Sequence, residues 1–96
     1  MVVRLTSFMI AADKAEEAKR IYKQEVISEV KKQKGNEDVM LLEPSDGSTE
    51  YVSVTTWKTM ADADAYESSG IYRELVDKLK GLFSSKSDLK TFNLSG

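Results

Sequence analysis

From Val2 to Ile10 the chain is dominated by aliphatic and β-branched residues, a pattern that predicts a first strand. Alternation places Val3, Leu5, Ser7 and Met9 on one side and Val2, Arg4, Thr6, Phe8 and Ile10 on the other. Both sides are largely apolar, as suits a strand covered on both faces. Ser7 is the polar exception on the first side; Arg4 and Thr6 are the exceptions on the second. Arg4 is expected on the face that meets a partner chain.

The period then changes. Asp13, with Glu16 three residues later, reads as a capping box that opens a helix. Ala15, Ala18, Tyr22, Val26 and Val30 form its apolar stripe, and lysines and glutamates fill the remaining positions. Lys31, Lys32 and Lys34 suit the negative end of the helix dipole, and Gly35-Asn36 supplies the stop. Val39–Glu43 reads as a second strand and Pro44–Ser48 as a turn. Glu50–Lys58 is a third strand, with Tyr51, Ser53, Thr55 and Trp57 on one face, and it should pair with the second as an antiparallel hairpin.

Thr59, with Asp62 at the box position, caps a further helical region that Gly70 interrupts. The expected helices are Met60–Ser68 and Ile71–Phe83, the latter separate or continuous with the former. Tyr72, Leu75, Val76, Leu79, Leu82 and Phe83 form its apolar face. Ser84–Ser87 reads as a loop and Asp88–Leu94 as the last strand. The order βαββαβ predicts an α+β, ferredoxin-like fold, a four-stranded antiparallel sheet with its helices on one face. The other face, also apolar, should meet a second copy, giving a homodimer in which two sheets close toward a barrel.

Composition narrows the chemistry. A chain of 96 residues, 10.7 kDa, forms a single domain over its whole length and gains core most easily by association. It contains no Cys and no His, which excludes a disulfide scaffold, a Cys nucleophile, a His base and a His- or Cys-built zinc or iron site. A net charge of −2 gives no footprint for nucleic acid or an anionic membrane. The runs Phe8–Ala12 and Val39–Leu42 are too short to span a bilayer, and no signal-peptide pattern opens the chain, so a cytoplasmic protein is expected. Asp62 and Asp64, two apart on a helix start, do not face one another and do not make a metal site.

The stretch Thr55–Leu75 carries a resemblance. Trp57 ends a strand, a short polar segment and Ala65-Tyr66 follow, then a break at small residues, then Tyr72. This pattern, with the element order of nearly the whole chain, resembles the antibiotic biosynthesis monooxygenase (ABM) superfamily of dimeric α+β barrels. The resemblance implies a pocket between sheet and helices. It also implies a choice among cofactor-independent oxygenases of quinols and aromatic polyketides, haem-degrading enzymes, and members of other roles. In the haem-degrading branch an Asn on the first strand, a Trp on the second helix and a His ligand on that helix carry the site. Those positions fall on Ser7, Tyr66 and Leu75, and all three differ. Leu75 cannot ligate iron, which argues against haem degradation.

A cofactor-free oxygenase needs a dry pocket that orients an electron-rich ring and helps to ionise a hydroxyl. Ser7 and Tyr66 are the candidate catalytic groups, with Tyr22, Trp57, Tyr72, Arg73 and Leu75 as candidate substrate contacts. Ser7 could equally be a strand hydroxyl bonded to backbone or water, and Tyr66 and Tyr72 could be core aromatics with their hydroxyls at the surface. Trp57 could simply pack the strand–helix junction, and Tyr22 could fill the pocket rather than line it. No cofactor or metal is expected. The expected partners are a small aromatic or hydrophobic molecule, dioxygen if the protein is an enzyme, and a second copy of the chain. The alternatives are a dimer that kept the fold without catalysis and a porphyrin binder using an unusual ligand such as Tyr66.

Overall fold

The computed structural model describes residues 1–82 and 88–95. Four strands, β1 (Val2–Met9), β2 (Asn36–Leu42), β3 (Glu50–Trp57) and β4 (Asp88–Asn93), form one antiparallel sheet in the order β2-β3-β1-β4. This is the expected α+β, ferredoxin-like arrangement. Phe83 and the Ser84–Ser87 loop lie outside the described residues. β2 starts earlier than its apolar run suggests: Asn36 pairs with Trp57, and a register shift between Asn36 and Asp38 leaves Glu37 as the extra residue of a bulge.

The register shows which side each residue occupies. Val2, Arg4, Thr6 and Phe8 stand opposite Trp57, Thr55, Ser53 and Tyr51, and this side carries the helices and the core. Val3, Leu5, Ser7 and Met9 occupy the other side, with Val52, Val54, Met40 and Phe92 across the neighbouring strands. Arg4 is therefore not on the open face, as alternation alone suggested, but buried under the helices at 7% exposure. Both sides of β1 are apolar enough that the pattern does not say which one the helices cover.

The first helical region also departs from expectation at its start. Asp13 caps nothing; a 3₁₀ turn (Ala12–Lys14) leads in, with the Lys14 amide donating to the Ala11 carbonyl at 2.9 Å. Helix α1 (Ala15–Ile21) then passes through a π-helical turn (Tyr22–Val26) into α2 (Ile27–Lys31). The stripe explains the π turn. Ala18, Tyr22, Val26 and Val30 are spaced four apart, which drifts off one face of a 3.6-residue helix, and a wider turn brings them back. All four are buried.

Helix α3 (Met60–Glu67) starts as predicted, with the Thr59 hydroxyl accepting from the Asp62 amide at 3.1 Å. A fresh cap restarts the helix after the break: the Ser69 hydroxyl accepts from the Tyr72 amide, and α4 (Gly70–Lys80) follows. At the corner between α2 and β2, Gly35 has φ +82°, and its carbonyl accepts from the Lys58 amide at 2.8 Å. A Cβ at Gly35 would collide with the Asp62 side chain. Gly35→Ala thus adds a clash to a left-handed backbone and should lower stability by more than about 1 kcal/mol. Chemical denaturation checks this, and adding Asp62→Ala should recover only the steric part of the loss.

Candidate functional site

A cavity lies between the sheet and α4. Its outer part is small, with a volume of about 60 Å³, partly open to solvent, walled by Phe8, Val26, Leu75, Val76 and Leu79 and bearing Thr6, Ser53, Tyr66 and Tyr72. An adjoining inner space of about 50 Å³ shares Thr6, Val26, Ser53, Tyr66 and Tyr72 and adds Arg4, Tyr22, Val30, Thr55 and Leu89. The walls are mostly aliphatic and aromatic with a few polar groups, the usual make-up of a small-molecule site.

Tyr22 is set by the π turn that begins at its position. Its hydroxyl lies 3.1 Å from the Met40 carbonyl and 2.6 Å from Ser53 Oγ. A phenol has one proton, and a carbonyl can only accept. Both bonds form together when Tyr22 donates to Met40 and Ser53 donates to Tyr22. Ser53 is then left with its lone pairs, so at the cavity wall it is an acceptor.

Tyr66 is fixed from behind. Trp57, fully buried, stacks on it with ring centroids 5.0 Å apart, and Tyr72 meets it edge-on at 5.4 Å. The Trp57 indole N–H is used within the protein, donating to Thr55 Oγ1 at 2.9 Å. The hydroxyls of Tyr66 and Tyr72 bond to none of the described residues, although both side chains line the cavity. Burial pushes all three phenols up from their ordinary range. For Tyr66 the neighbouring Tyr72 and Tyr22 add to the rise. For Tyr72 Glu67 adds to it and Arg4 opposes it. These phenols therefore stay protonated near neutrality: Tyr66 and Tyr72 are donors toward a ligand, not bases.

Arg4 reaches across from β1 to α3. Its guanidinium donates to the Ala63 carbonyl at 3.0 Å, to Glu67 at 2.9 Å and to Asp64 at 2.6 Å. This accounts for Asp64, whose carboxylate is engaged by Arg4, while the Asp62 side chain lies over Gly35.

The structure thus brings Tyr22, Tyr66, Tyr72 and Leu75 of the expected residues to one cavity. Trp57 does not line it; it lies behind Tyr66. Ser7 points to the opposite face of the sheet and cannot share a pocket with Tyr66, because the helices cover the other side of β1. Arg73 is exposed and lines an outer groove with Glu67, Ser69 and Asp77. Sequence reasoning missed Arg4, Thr6 and Ser53. Their signal is a polar residue at a core-facing position of a central strand, visible only once the covered face is known.

The family model described as antibiotic biosynthesis monooxygenase matches residues 1–78 of this chain. No curated protein matches it. Among solved structures, SnoaB, a cofactor-independent oxygenase from Streptomyces nogalater, superposes with a TM-score of 0.83 at 17% identity, over 99% of this chain and 93% of its own. Rv0793 from Mycobacterium tuberculosis gives 0.80 at 20% identity, over 99% and 95%. A conserved protein from Methanosarcina mazei Go1 gives 0.84 at 16%, over 99% and 94%. At these identities the likeness shows a shared fold.

The raised phenols carry a pH consequence. Unfolded tyrosines titrate near pH 10, and the folded ones higher. Their contribution to stability is therefore complete below about pH 10 and is lost as pH rises from there through the folded values. Denaturant midpoints should fall on that alkaline limb, and Tyr66→Phe should make the fall shallower. A slope unchanged by the substitution would mean that Tyr66 is not desolvated.

Proposed function

The chain belongs to the antibiotic biosynthesis monooxygenase family, and on that premise we propose that it binds a small hydroxyaromatic molecule and oxygenates it with dioxygen alone. The observation that carries this reading is the cavity itself. It is apolar, partly open, and furnished with one acceptor at Ser53 and two phenol donors, Tyr66 and Tyr72, that bond to none of the described residues.

The chemistry asks little of the protein. A ring whose hydroxyl has ionised transfers one electron to dioxygen; the two radicals combine into a carbon–oxygen bond, and a proton completes the hydroperoxide. Where that carbon was a ring CH₂, loss of water leaves a carbonyl. One oxygen atom stays on the ring, the other leaves as water, and the four electrons dioxygen needs come from the substrate. Tyr66 and Tyr72 would hydrogen-bond to oxygen as it gains charge. Ser53 would accept from a ring hydroxyl and set its orientation. Tyr22 would hold Ser53, and Leu75 would pack on the ring.

A specific observation favours the second reading, a ligand-binding dimer without turnover. Among the described residues no Asp or Glu walls the two spaces, so none of them offers a side-chain carboxylate base there. Ring hydroxyls must then ionise to water, which restricts turnover to acidic phenols and enols. Ser7 and Arg73, remote from this cavity, have no part in this reading. Both readings include a homodimer, formed through the open sheet face. Much of that face is apolar, with Met40 at 42%, Leu42 at 47% and Phe92 at 49% exposure in the single chain, while Asp88 and Lys90 of β4 stand beside Ser7 and Leu5 on it.

Dioxygen consumption by the purified protein, without added cofactor, tests the oxygenase reading against quinols, naphthols and anthrones. Uptake above autoxidation is expected, reduced by about two to three orders of magnitude in Tyr66→Phe, the scale of losing one oxyanion donor. No uptake across the panel would leave the binding dimer. Sedimentation should separately give a mass near twice 10.7 kDa, and a monomer at micromolar concentration would remove the role assigned to the open face.

A further inference from the structure

The cavity is too small, as it stands, for a ring. Its two parts measure about 60 and about 50 Å³. That is room for a few water molecules, whereas small-molecule sites run from about 300 Å³ upward. A ring enters only if a wall moves, and most of the walls are held. Leu75 and Leu79 are the buried anchors of α4. Tyr22 is tied to Met40 and Ser53, and Tyr66 is stacked on Trp57 at 5.0 Å. Tyr72 is held least: its ring meets Tyr66 edge-on at 5.4 Å, and its hydroxyl bonds to none of the described residues. Ample space lies just beyond it. Tyr72 and Val76 wall the outer part of the cavity on one side and the groove along α4, about 710 Å³ in volume, on the other. Among the described residues these two alone border both spaces.

We propose, resting on the ring-binding reading above, that Tyr72 is a gate: its side chain swings from the cavity wall into the groove, joins the two spaces, and closes again over the admitted molecule. A tyrosine in a helix has two χ1 positions open to it, so one rotation moves the ring without unwinding α4. Tyr72 is the third residue of α4, and no full turn of that helix precedes it to crowd the swing. Val76, the other shared wall, is β-branched and stiff at χ1. The groove also receives the phenol better than the closed position does. Closed, the hydroxyl has no partner among the described residues; the groove offers Glu67, Ser68 and Asp77 as acceptors. Glu67 already lies close enough to push the phenol's pKa up. Tyr72 thus controls the rate at which a ring is admitted and released more than the affinity with which it is held.

The test is stopped-flow binding of 2-naphthol to the full-length protein under anaerobic conditions, followed by naphthol fluorescence. The observed rate should level off as naphthol rises, because opening then limits binding. With the open rotamer populated at about a tenth or less, Tyr72→Ala should abolish the plateau and raise the association rate at least about tenfold. Dissociation should rise with it, so that Kd moves less than either rate; loss of a mere contact would raise dissociation alone. Tyr72→Phe keeps the ring but drops the hydroxyl that the groove receives, and should slow association. A second readout needs no truncation. With 3-fluorotyrosine incorporated, the Tyr72 fluorine line, identified by its loss in Tyr72→Phe, should be exchange-broadened alone and sharp in saturating naphthol. Equal association rates in wild type and Tyr72→Ala, or a Tyr72 line that is sharp throughout while naphthol binds, would overturn the gate and leave the ring-binding cavity. Faster association in Tyr66→Ala and not in Tyr72→Ala would also overturn it, moving the entrance to the surface pocket beside Lys34 and Asp62, where Tyr66 is the wall. Failure of naphthol to bind either wild type or Tyr72→Ala would overturn the gate and the ring-binding reading together.

Discussion

A guanidinium on the covered face of a sheet is an expensive thing to bury, and the helical layer is organised around that fact. Arg4 needs acceptors in a region otherwise filled by Trp57, Ala63 and Leu75, and an unpaired cation there would cost several kcal/mol. Helix α3 supplies one carbonyl and two carboxylates. Ala63, Asp64 and Glu67 thereby fix both the rotation and the height of α3 over β1. Tyr66, between Asp64 and Glu67 on the same turn, has its ring placed by that choice and held by the Trp57 stack. The cavity exists where it does because one strand residue dictates how the next layer sits.

The two faces of the sheet follow different rules. On the covered side large aromatics at Tyr51, Trp57 and Phe8 alternate with short polar residues at Thr6, Ser53 and Thr55. Short side chains at the centre of the sheet leave space that the helices do not fill, and that space is the cavity. On the open side Val3, Leu5, Met9, Val52 and Val54 give an apolar patch, bordered by Lys90 and Asp88 of β4, that suits a second sheet better than a small ligand. Ser7 belongs to that second surface.

Much of the architecture is legible in the sequence. The period of apolar residues, the Thr59 cap and the restart near Gly70 give the element order, and the order gives the topology. The face of β1 is not legible, because alternation sorts residues into two sets without saying which the helices cover. When both sets are apolar, the polar exceptions Arg4 and Ser7 change places. Asp13 failed as a cap for a local reason: a 3₁₀ turn through Ala12–Lys14 carries the chain into the helix, and backbone bonds do the work of a side chain. The π turn was foreshadowed by the four-residue spacing from Ala18 to Val30, which an ideal helix cannot keep on one face. Tyr66 and Tyr72 are candidates by type and position, and both line the cavity. That they are donors depends on burial, which spacing does not encode.

The absence of histidine gives these phenols a particular meaning. In a site with an imidazole, a tyrosine can remain a spectator while the base takes the proton. Here the polar groups at the cavity wall are hydroxyls and one guanidinium, and burial holds the phenols in their protonated form. Such a site cannot remove a proton from a weak acid. In the proposed reaction its part is to stabilise an oxygen as it acquires electron density, with little reorganisation, because Trp57 and Tyr72 already hold the Tyr66 ring. Selectivity in that proposed reaction then comes from the ligand's own acidity and from where its oxygens fall relative to the donors and to Ser53. The burden of reactivity in the proposed reaction falls on the substrate, and the protein's part is the choice of which ring to admit and how to turn it.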